Sequence, residues 1–250
     1  MTNLFESDKV ANQFNAYNDV LEQVLGYNYI LSFFSKHQAA TILDYGCGPG
    51  KVALRLAEQT ASQIVAVDES ESMIDIANKQ RAHDRIVYQV VKNDRLSFVP
   101  NDTIDGAIAC YVFINNGSED RIRRMMTEIY RVLRPKSRFI ILDTNPNTTG
   151  VPFSTFQNGI KDKVYDYGEQ RVEKLHVNQQ EDLILYDFNW PNRMYDDNLK
   201  YAGFTHVTVK YPTLNDFSAE QMAAITAQYG VINWENERTQ APFILYEAIK

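Results

Sequence analysis

The sequence predicts an α/β chain: a doubly wound, mostly parallel seven-stranded sheet with an antiparallel last strand, a helical cover before it and a lid inserted near its end. Three observations carry this expectation. Apolar runs of strand length alternate with helix-patterned runs from Ile42 to Asp143. Gly46, Gly48 and Gly50 follow the first of those runs at alternate positions, in a chain of 250 residues that uses only 11 glycines. Two strand-like segments, 205–211 and 242–249, close the chain, and no crossover helix obviously returns the last one in parallel.

The elements follow in order. Residues 3–36 read as mostly helical, because Val10, Phe14, Tyr17, Leu21, Val24 and Leu25 recur at three- and four-residue spacing. Ile42 to Tyr45 is a short buried strand, and Val52, Leu56 and Ala57 share one face of the helix after it. "QIVAVD" is the second strand. Ser72 and Asp75 have the spacing of a capping box, with Met73, Ile76 and Ala77 facing inward. "RIVYQVV" and "IDGAIAC" are the third and fourth strands. A long helix begins near Ser118, carries Ile122, Met125, Met126, Ile129 and Leu133 as its stripe, and ends at Pro135. "RFIILD" is the fifth strand. "NPNTTG" then breaks the pattern, and residues 151–190 are aromatic and strand-like without a clean period. "NRMYDDNLKYAGF" is a helix closed by Gly203, and Ser218 to Tyr229 is another. The expectation is one domain over 1–250: a cover (1–40), a core (41–150), a lid (151–190) and a closing part (191–250).

Composition excludes several functions. A hydrophobic share of 44% is ordinary for a globular chain. A net charge of −7 makes a poor partner for phosphate backbones, so no nucleic acid is expected as the main ligand. Cys47 and Cys110 form no CxxC pair and read as free thiols of a cytoplasmic protein, with neither a disulfide nor a metal site. The start "MTNLFESDKV" lacks the basic region and apolar core of a signal peptide, and no apolar run approaches the length of a membrane span. Nothing in the sequence fixes the oligomeric state.

The glycine turn discriminates between ligands. A triphosphate loop needs a glycine and a hydroxyl where this chain has Tyr45 and Val52. The dinucleotide fingerprint needs a third glycine where Lys51 stands. What remains is Asp44-x-Gly46-x-Gly48-x-Gly50 running into a helix. Glycines admit close approach of a ligand, the helix N-terminus offers N–H groups to a carboxylate, and Asp44 can help position an ammonium. Asp68 ends the second strand, where a carboxylate can accept both hydroxyls of a ribose. An amino acid at the first turn and a ribose at the second describe S-adenosylmethionine.

At this point the chain resembles the class I S-adenosylmethionine-dependent methyltransferases, with their Rossmann-like sheet. "LDYGCGPG" is similar to the family's first motif, "VAVDESESMIDIA" to its second, and "EIYRVLRPKSRFIILD" to its fifth-strand motif. "VVKNDRLSF" looks like the segment that lines adenine, and "IDGAIACYVFINN" like the strand facing the methionine end. The family usually has two glycines where this chain has Lys136 and Ser137.

By that resemblance Asp44, Gly46, Gly48 and Gly50 hold the methionine end and Asp68 the ribose. Met73 packs on adenine. In the segment containing Asn93, Asp94 accepts from the adenine amino group and the Arg95 backbone N–H meets a ring nitrogen. Cys110 lends its carbonyl to the ammonium, and Tyr17 lies on a helix that closes over the cofactor. Plain alternatives stand beside these readings: a surface acid for Asp68, core packing for Met73 and Tyr17, and an Asx turn for Asp94.

On the acceptor side two residues are nominated for catalysis. His176 is the one histidine within the predicted lid, and Asp143 ends the fifth strand, where open α/β sheets bind ligands. A solvated strand residue and a turn cap are their alternatives. Arg121, Arg123 and Arg124 fall off the apolar stripe of their helix and read as a solvated face. The lid's Phe153, Phe156, Tyr165, Tyr167, Tyr186, Phe188 and Trp190 can line a pocket for a flat acceptor, or form a small core of their own. The expected reaction is methyl transfer to nitrogen or oxygen of a small, aromatic or heterocyclic molecule. A protein or RNA acceptor is a rival, as is a cofactor-binding protein without catalysis.

Overall fold

The computed structural model describes residues 7–178 and 181–250. The start of the predicted first helix at 3–6, most of the segment compared with a signal peptide, and lid positions 179–180 lie outside the described residues.

Two helices open the described chain, α1 (Asp8–Ala16) and α2 (20–36). The second contains a π turn at Gln23–Tyr27, where Gly26 lets it approach the sheet closely. A Cβ on Gly26 would lie 2.6 Å from the Leu142 side chain. Then come β1 (Thr41–Tyr45), α3 (Lys51–Gln59), β2 (Gln63–Asp68), α4 (Glu71–Gln80), β3 (Ile86–Val90), β4 (Ile104–Cys110), α5 (Glu119–Val132) and β5 (Leu133–Thr144). Three short strands, β6 (Phe156–Asn158), β7 (Gln170–Asn178) and β8 (Glu181–Phe188), follow. The chain closes with α6 (Asn192–Ala202), β9 (Thr205–Lys210), α7 (Ala219–Tyr229) and β10 (Phe243–Ile249).

Seven strands form one sheet in the order β3-β2-β1-β4-β5-β10-β9. The first five run parallel, and β10 is antiparallel to both neighbours. Strand alternation sends neighbouring residues to opposite faces. Ile42, Ile64, Ile108, Ile140 and Leu142 pack in one core with α2 and α3. Leu43, Val67, Ala107, Phe139 and Ile141 pack in the other, with α5 and α6. The strand order reverses between β1 and β4, which opens a crevice at their C-terminal ends, the usual ligand position in such sheets.

Two helix boundaries differ from their expected positions. Ser70, not Ser72, caps α4: its hydroxyl accepts the Met73 N–H, and Ile74 rather than Ile76 is buried. Helix α5 ends at Val132, so Leu133 opens β5 instead of closing the helical stripe. The Lys136 position, where the family usually has glycine, takes φ +71°, a left-handed angle that glycine adopts freely and lysine does not. The lid is a three-stranded antiparallel sheet, β6-β7-β8. Its inner face carries Arg171, Glu173 and Leu175 of β7 opposite Asp187, Leu185 and Leu183 of β8.

Candidate active site

A cavity of about 960 Å³ opens at the ends of β1, β2 and β4 and runs beneath the lid. Its floor is the glycine turn. Gly46, Gly48 and Gly50 all take left-handed φ angles, +77°, +51° and +83°. The turn is fixed by N–H groups of Gly46 and Cys47 donating to the Val67 carbonyl, at 2.7 and 2.9 Å. Among the three glycines, Gly48 faces open space: a Cβ there would meet nothing nearer than the Phe14 ring at 4.0 Å, whereas one on Gly46 would strike Val112 at 2.4 Å. A side chain at Gly48 would fill the cradle.

Two carboxylates frame this turn. Asp68 accepts the Gly48 N–H through Oδ2 and the Ser70 N–H through Oδ1, both at 2.9 Å. Burial raises its pKa to about 6, against the pull of those N–H groups. Asp44 is 1% exposed, and its Oδ2 has no hydrogen-bond partner. Burial, then the like charge of Asp68, push Asp44 up to about 7. A buried carboxylate left without partners is costly unless a ligand satisfies it. The helix α3 begins beside the cradle, and Lys51 and Val52 of its first turn line the cavity.

Tyr17, Asp44, Gly46, Gly48, Asp68, Met73 and Cys110 all line this one space. Gly50 caps α3 behind it, where a Cβ would meet the Tyr88 hydroxyl at 2.6 Å. The remaining predicted residues fall elsewhere, and each displacement has a reason. Asn93 and Asp94 are consecutive left-handed residues of a tight turn between Lys92 and Arg95. The Arg95 N–H donates to the Lys92 carbonyl at 3.3 Å, and Asp94 pairs with Arg121 at 2.8 Å. None of the three lines the cavity. Asp143 points to the other face of β5, where the Tyr195 hydroxyl donates to it at 2.9 Å, and Thr144 takes the cavity side. His176 alternates onto the outer face of β7 and bonds Asp182 through Nδ1 at 2.8 Å, with 40% of its side chain exposed.

Several cavity residues were not anticipated. Arg121, read as solvated, lines the cavity and bridges Asp94, Asn116 and Glu69. Glu22 of α2 and Glu173 on the inner face of the lid are buried carboxylates at the cavity wall. Tyr111 follows β4 directly at φ +58°, an unusual angle for a bulky residue, with its hydroxyl unpartnered. Most of the lid aromatics pack among themselves: Phe153 lies 5.3 Å from Phe156, and Trp190 lies 5.2 Å from Tyr167 and donates to the Asn116 carbonyl. Phe156, Tyr186 and Phe188 reach the cavity, joined there by Tyr27, Tyr111 and Phe243 from outside the lid. The signal for Glu22 was present, a lone acid within the apolar run Val20, Leu21, Val24 and Leu25.

A glycine cradle at a helix N-terminus, an acid closing the next strand and a buried acid beneath them stand together at the switch point of the sheet. The chain belongs to the class I S-adenosylmethionine-dependent methyltransferases. Residues 42–136 match the family described as "Methyltransferase domain". The chain is 36% identical over 173 residues to the N-demethylindolmycin N-methyltransferase of Streptomyces griseus, covering 69% of this chain and 73% of that one. It is 32% identical over 158 residues to the demethylmenaquinone methyltransferase of Symbiobacterium thermophilum, of whose length it spans 59%. The fold matches a solved S-adenosylmethionine-dependent methyltransferase from Mesorhizobium loti with a TM-score of 0.56 at 18% identity, over 84% of this chain and 90% of that one. The cofactor is therefore S-adenosylmethionine. Among the described residues no helix is long and apolar enough to cross a membrane, and no group of three metal-ligating side chains occurs.

Proposed function

We propose that this chain methylates a nitrogen or oxygen atom of a small aromatic or heterocyclic molecule held between the glycine turn and the lid. The observation that carries the reading is the shape of the site: one cavity of about 960 Å³ joins the glycine turn to a covered chamber walled by Tyr27, Tyr111, Phe156 and Phe243. Such a volume suits a cofactor with a small partner beside it. When bound, S-adenosylmethionine supplies a methyl group on a cationic sulfonium, ready for in-line displacement. The Gly48 cradle and the first turn of α3 are suited to its carboxylate, Asp44 to its ammonium and Asp68 to its ribose. The lid excludes water and holds the acceptor close, which lowers the entropic part of the barrier. The two named relatives are methyltransferases of small molecules, one of them acting at nitrogen according to its name.

Incubation with S-adenosylmethionine labelled in the methyl carbon, with metabolite, peptide and RNA fractions offered separately, tests this. Label should enter the metabolite fraction. Label entering only peptide or RNA would refute the assignment.

A further inference from the structure

We propose that the acceptor carries a basic nitrogen, bound as an ammonium between Glu22 and Glu173 against an aromatic wall, with Glu22 taking its proton before the nitrogen is methylated. This rests on the methyltransferase reading above and narrows its acceptor to one chemical class.

The two acids line the chamber. Glu22, on α2, is 4% exposed, and Glu173, on β7, is 7% exposed. Oε1 of Glu22 accepts from the Tyr17 hydroxyl at 2.6 Å, while Oε2 has no partner. No hydrogen bond or ion pair within the described residues reaches the Glu173 carboxylate. The nearby cations are engaged elsewhere. Arg171, two residues before Glu173 on the same face, pairs with Asp187 at 2.8 Å. Lys51 donates to the Tyr17 carbonyl at 2.9 Å, and Arg55 pairs with Asp19 at 3.0 Å. Glu173 thus shares the charge of Arg171 with Asp187, and neither Glu22 nor Glu173 has a cation bonded to it; buried carboxylates so placed destabilise a protein, and their position at a cavity wall points to a cation that arrives from outside.

Neighbouring groups fix the preference. The charged and titratable groups around Glu22 are Tyr17, Asp19 and Lys51, Tyr27 of its own helix, Tyr111 after β4, and Glu173 from the lid. Burial raises the Glu22 pKa to about 8, opposed by the Tyr17 hydroxyl. Burial lifts Glu173 well above the carboxylate range; Asp187, Glu22 and Asp143 add repulsion, and the Arg171 guanidinium opposes them. A cation reverses these penalties, whereas an anionic or phenolate acceptor would add to them. The aromatic wall suits the same ligand. Tyr111 meets Tyr27 edge-on at 6.3 Å and Phe243 at 5.7 Å, and Phe243 stacks on Phe156 at 5.5 Å. Ring faces attract ammonium groups in a dry site.

The proton and electron balance closes. The ammonium gives one proton to the Glu22 carboxylate and becomes a neutral amine. Its nitrogen lone pair forms the new C–N bond as the C–S bond breaks and that pair stays on sulfur. A neutral amine and a sulfonium thus yield a methylammonium, paired with Glu173, and a neutral thioether. Glu22 then releases its proton to solvent.

The test uses the whole chain saturated with S-adenosylhomocysteine and titrated calorimetrically at pH 8.5 with 2-phenylethylamine and with 2-phenylethanol, which differ in the charged group alone. The amine should bind about tenfold more tightly than the alcohol. Glu22→Gln and Glu173→Gln should each remove most of that preference while S-adenosylhomocysteine affinity, measured on the same samples, stays within about twofold and certifies the fold. Equal binding of amine and alcohol, no binding of the amine, or a preference that survives both substitutions would overturn the amine assignment. Failure of S-adenosylhomocysteine itself to bind would overturn the cofactor reading beneath it, and the two failures are told apart by that one control.

Discussion

Asp68→Ala is expected to weaken S-adenosylhomocysteine binding by roughly 10- to 100-fold, corresponding to the 1.5–3 kcal/mol of a charge-assisted hydrogen bond. The side chain has two tasks in the proposed site. It offers an acceptor for ribose hydroxyls, and it already receives the Gly48 and Ser70 N–H groups at 2.9 Å. Its removal therefore also frees the glycine cradle and the cap of α4. Asp68→Asn keeps one acceptor oxygen for those N–H groups while losing the charge, so its loss should fall between wild type and alanine. Calorimetric titration with S-adenosylhomocysteine measures both, and unchanged affinity in Asp68→Ala would remove this residue from the site.

Arg171→Ala is expected to have the largest effect on stability, about 3–5 kcal/mol. Arg171 is 2% exposed and ties the lid to the sheet. Its Nε donates to Asp187 at 2.8 Å, and its terminal nitrogens donate to Thr144 at 3.0 Å and to Thr149 at 2.6 Å. Asn158 of β6 completes the group by donating to Asp187 at 2.6 Å. Without the guanidinium, Asp187 stays buried near Glu173 and Asp143 with no cation among three acids. A loss of that size is a large part of the 5–15 kcal/mol that ordinarily holds a domain together. Urea unfolding followed by circular dichroism checks it. A double substitution, Arg171→Met with Asp187→Leu, should recover part of the loss because it removes both charges together. A single-variant loss under about 1 kcal/mol would show that the pair carries no such weight.

The sheet was legible because its signals are local and repeated. Ile42 to Tyr45, the glycine turn, "QIVAVD" and "IDGAIAC" each combine an apolar run with a turn or a helix stripe, and the structure forms them within a residue or two. The antiparallel last strand followed from the missing crossover, and it appears as β10 between β5 and β9. That Asp44, Gly46, Gly48 and Asp68 share one end of the cavity was legible for the same reason: they lie within 25 residues and meet by strand pairing. The acceptor half depends on contacts between distant segments. Glu22 and Glu173 stand 151 positions apart, and only the packing of the lid over α2 brings them to one cavity.

Alternation explains why Asp143 and His176 lie away from the cavity. Asp143 and Thr144 are neighbours on β5, so one faces the cavity and the other must face α6; the sequence does not say which. His176 suffers the same parity in β7, where Arg171, Glu173 and Leu175 take the inner face and no apolar alternation in the sequence marks it. A buried charged pair inverts the usual polarity of a strand and hides its inward side. Asn93 to Arg95 were assigned by motif position, and the turn at Asn93 and Asp94 closes the backbone on itself instead.

In the proposed site the cofactor's sulfur would lie at the end of β4, facing a chamber whose acids receive the acceptor. A crystal structure of the chain with S-adenosylhomocysteine tests that claim most directly. It should show the ribose hydroxyls on Asp68, the amino-acid end over Gly48, and the sulfur directed past Cys110 toward Tyr111, Glu22 and Glu173. A ligand bound outside this cavity, or one whose sulfur faces away from the two glutamates, would contradict it.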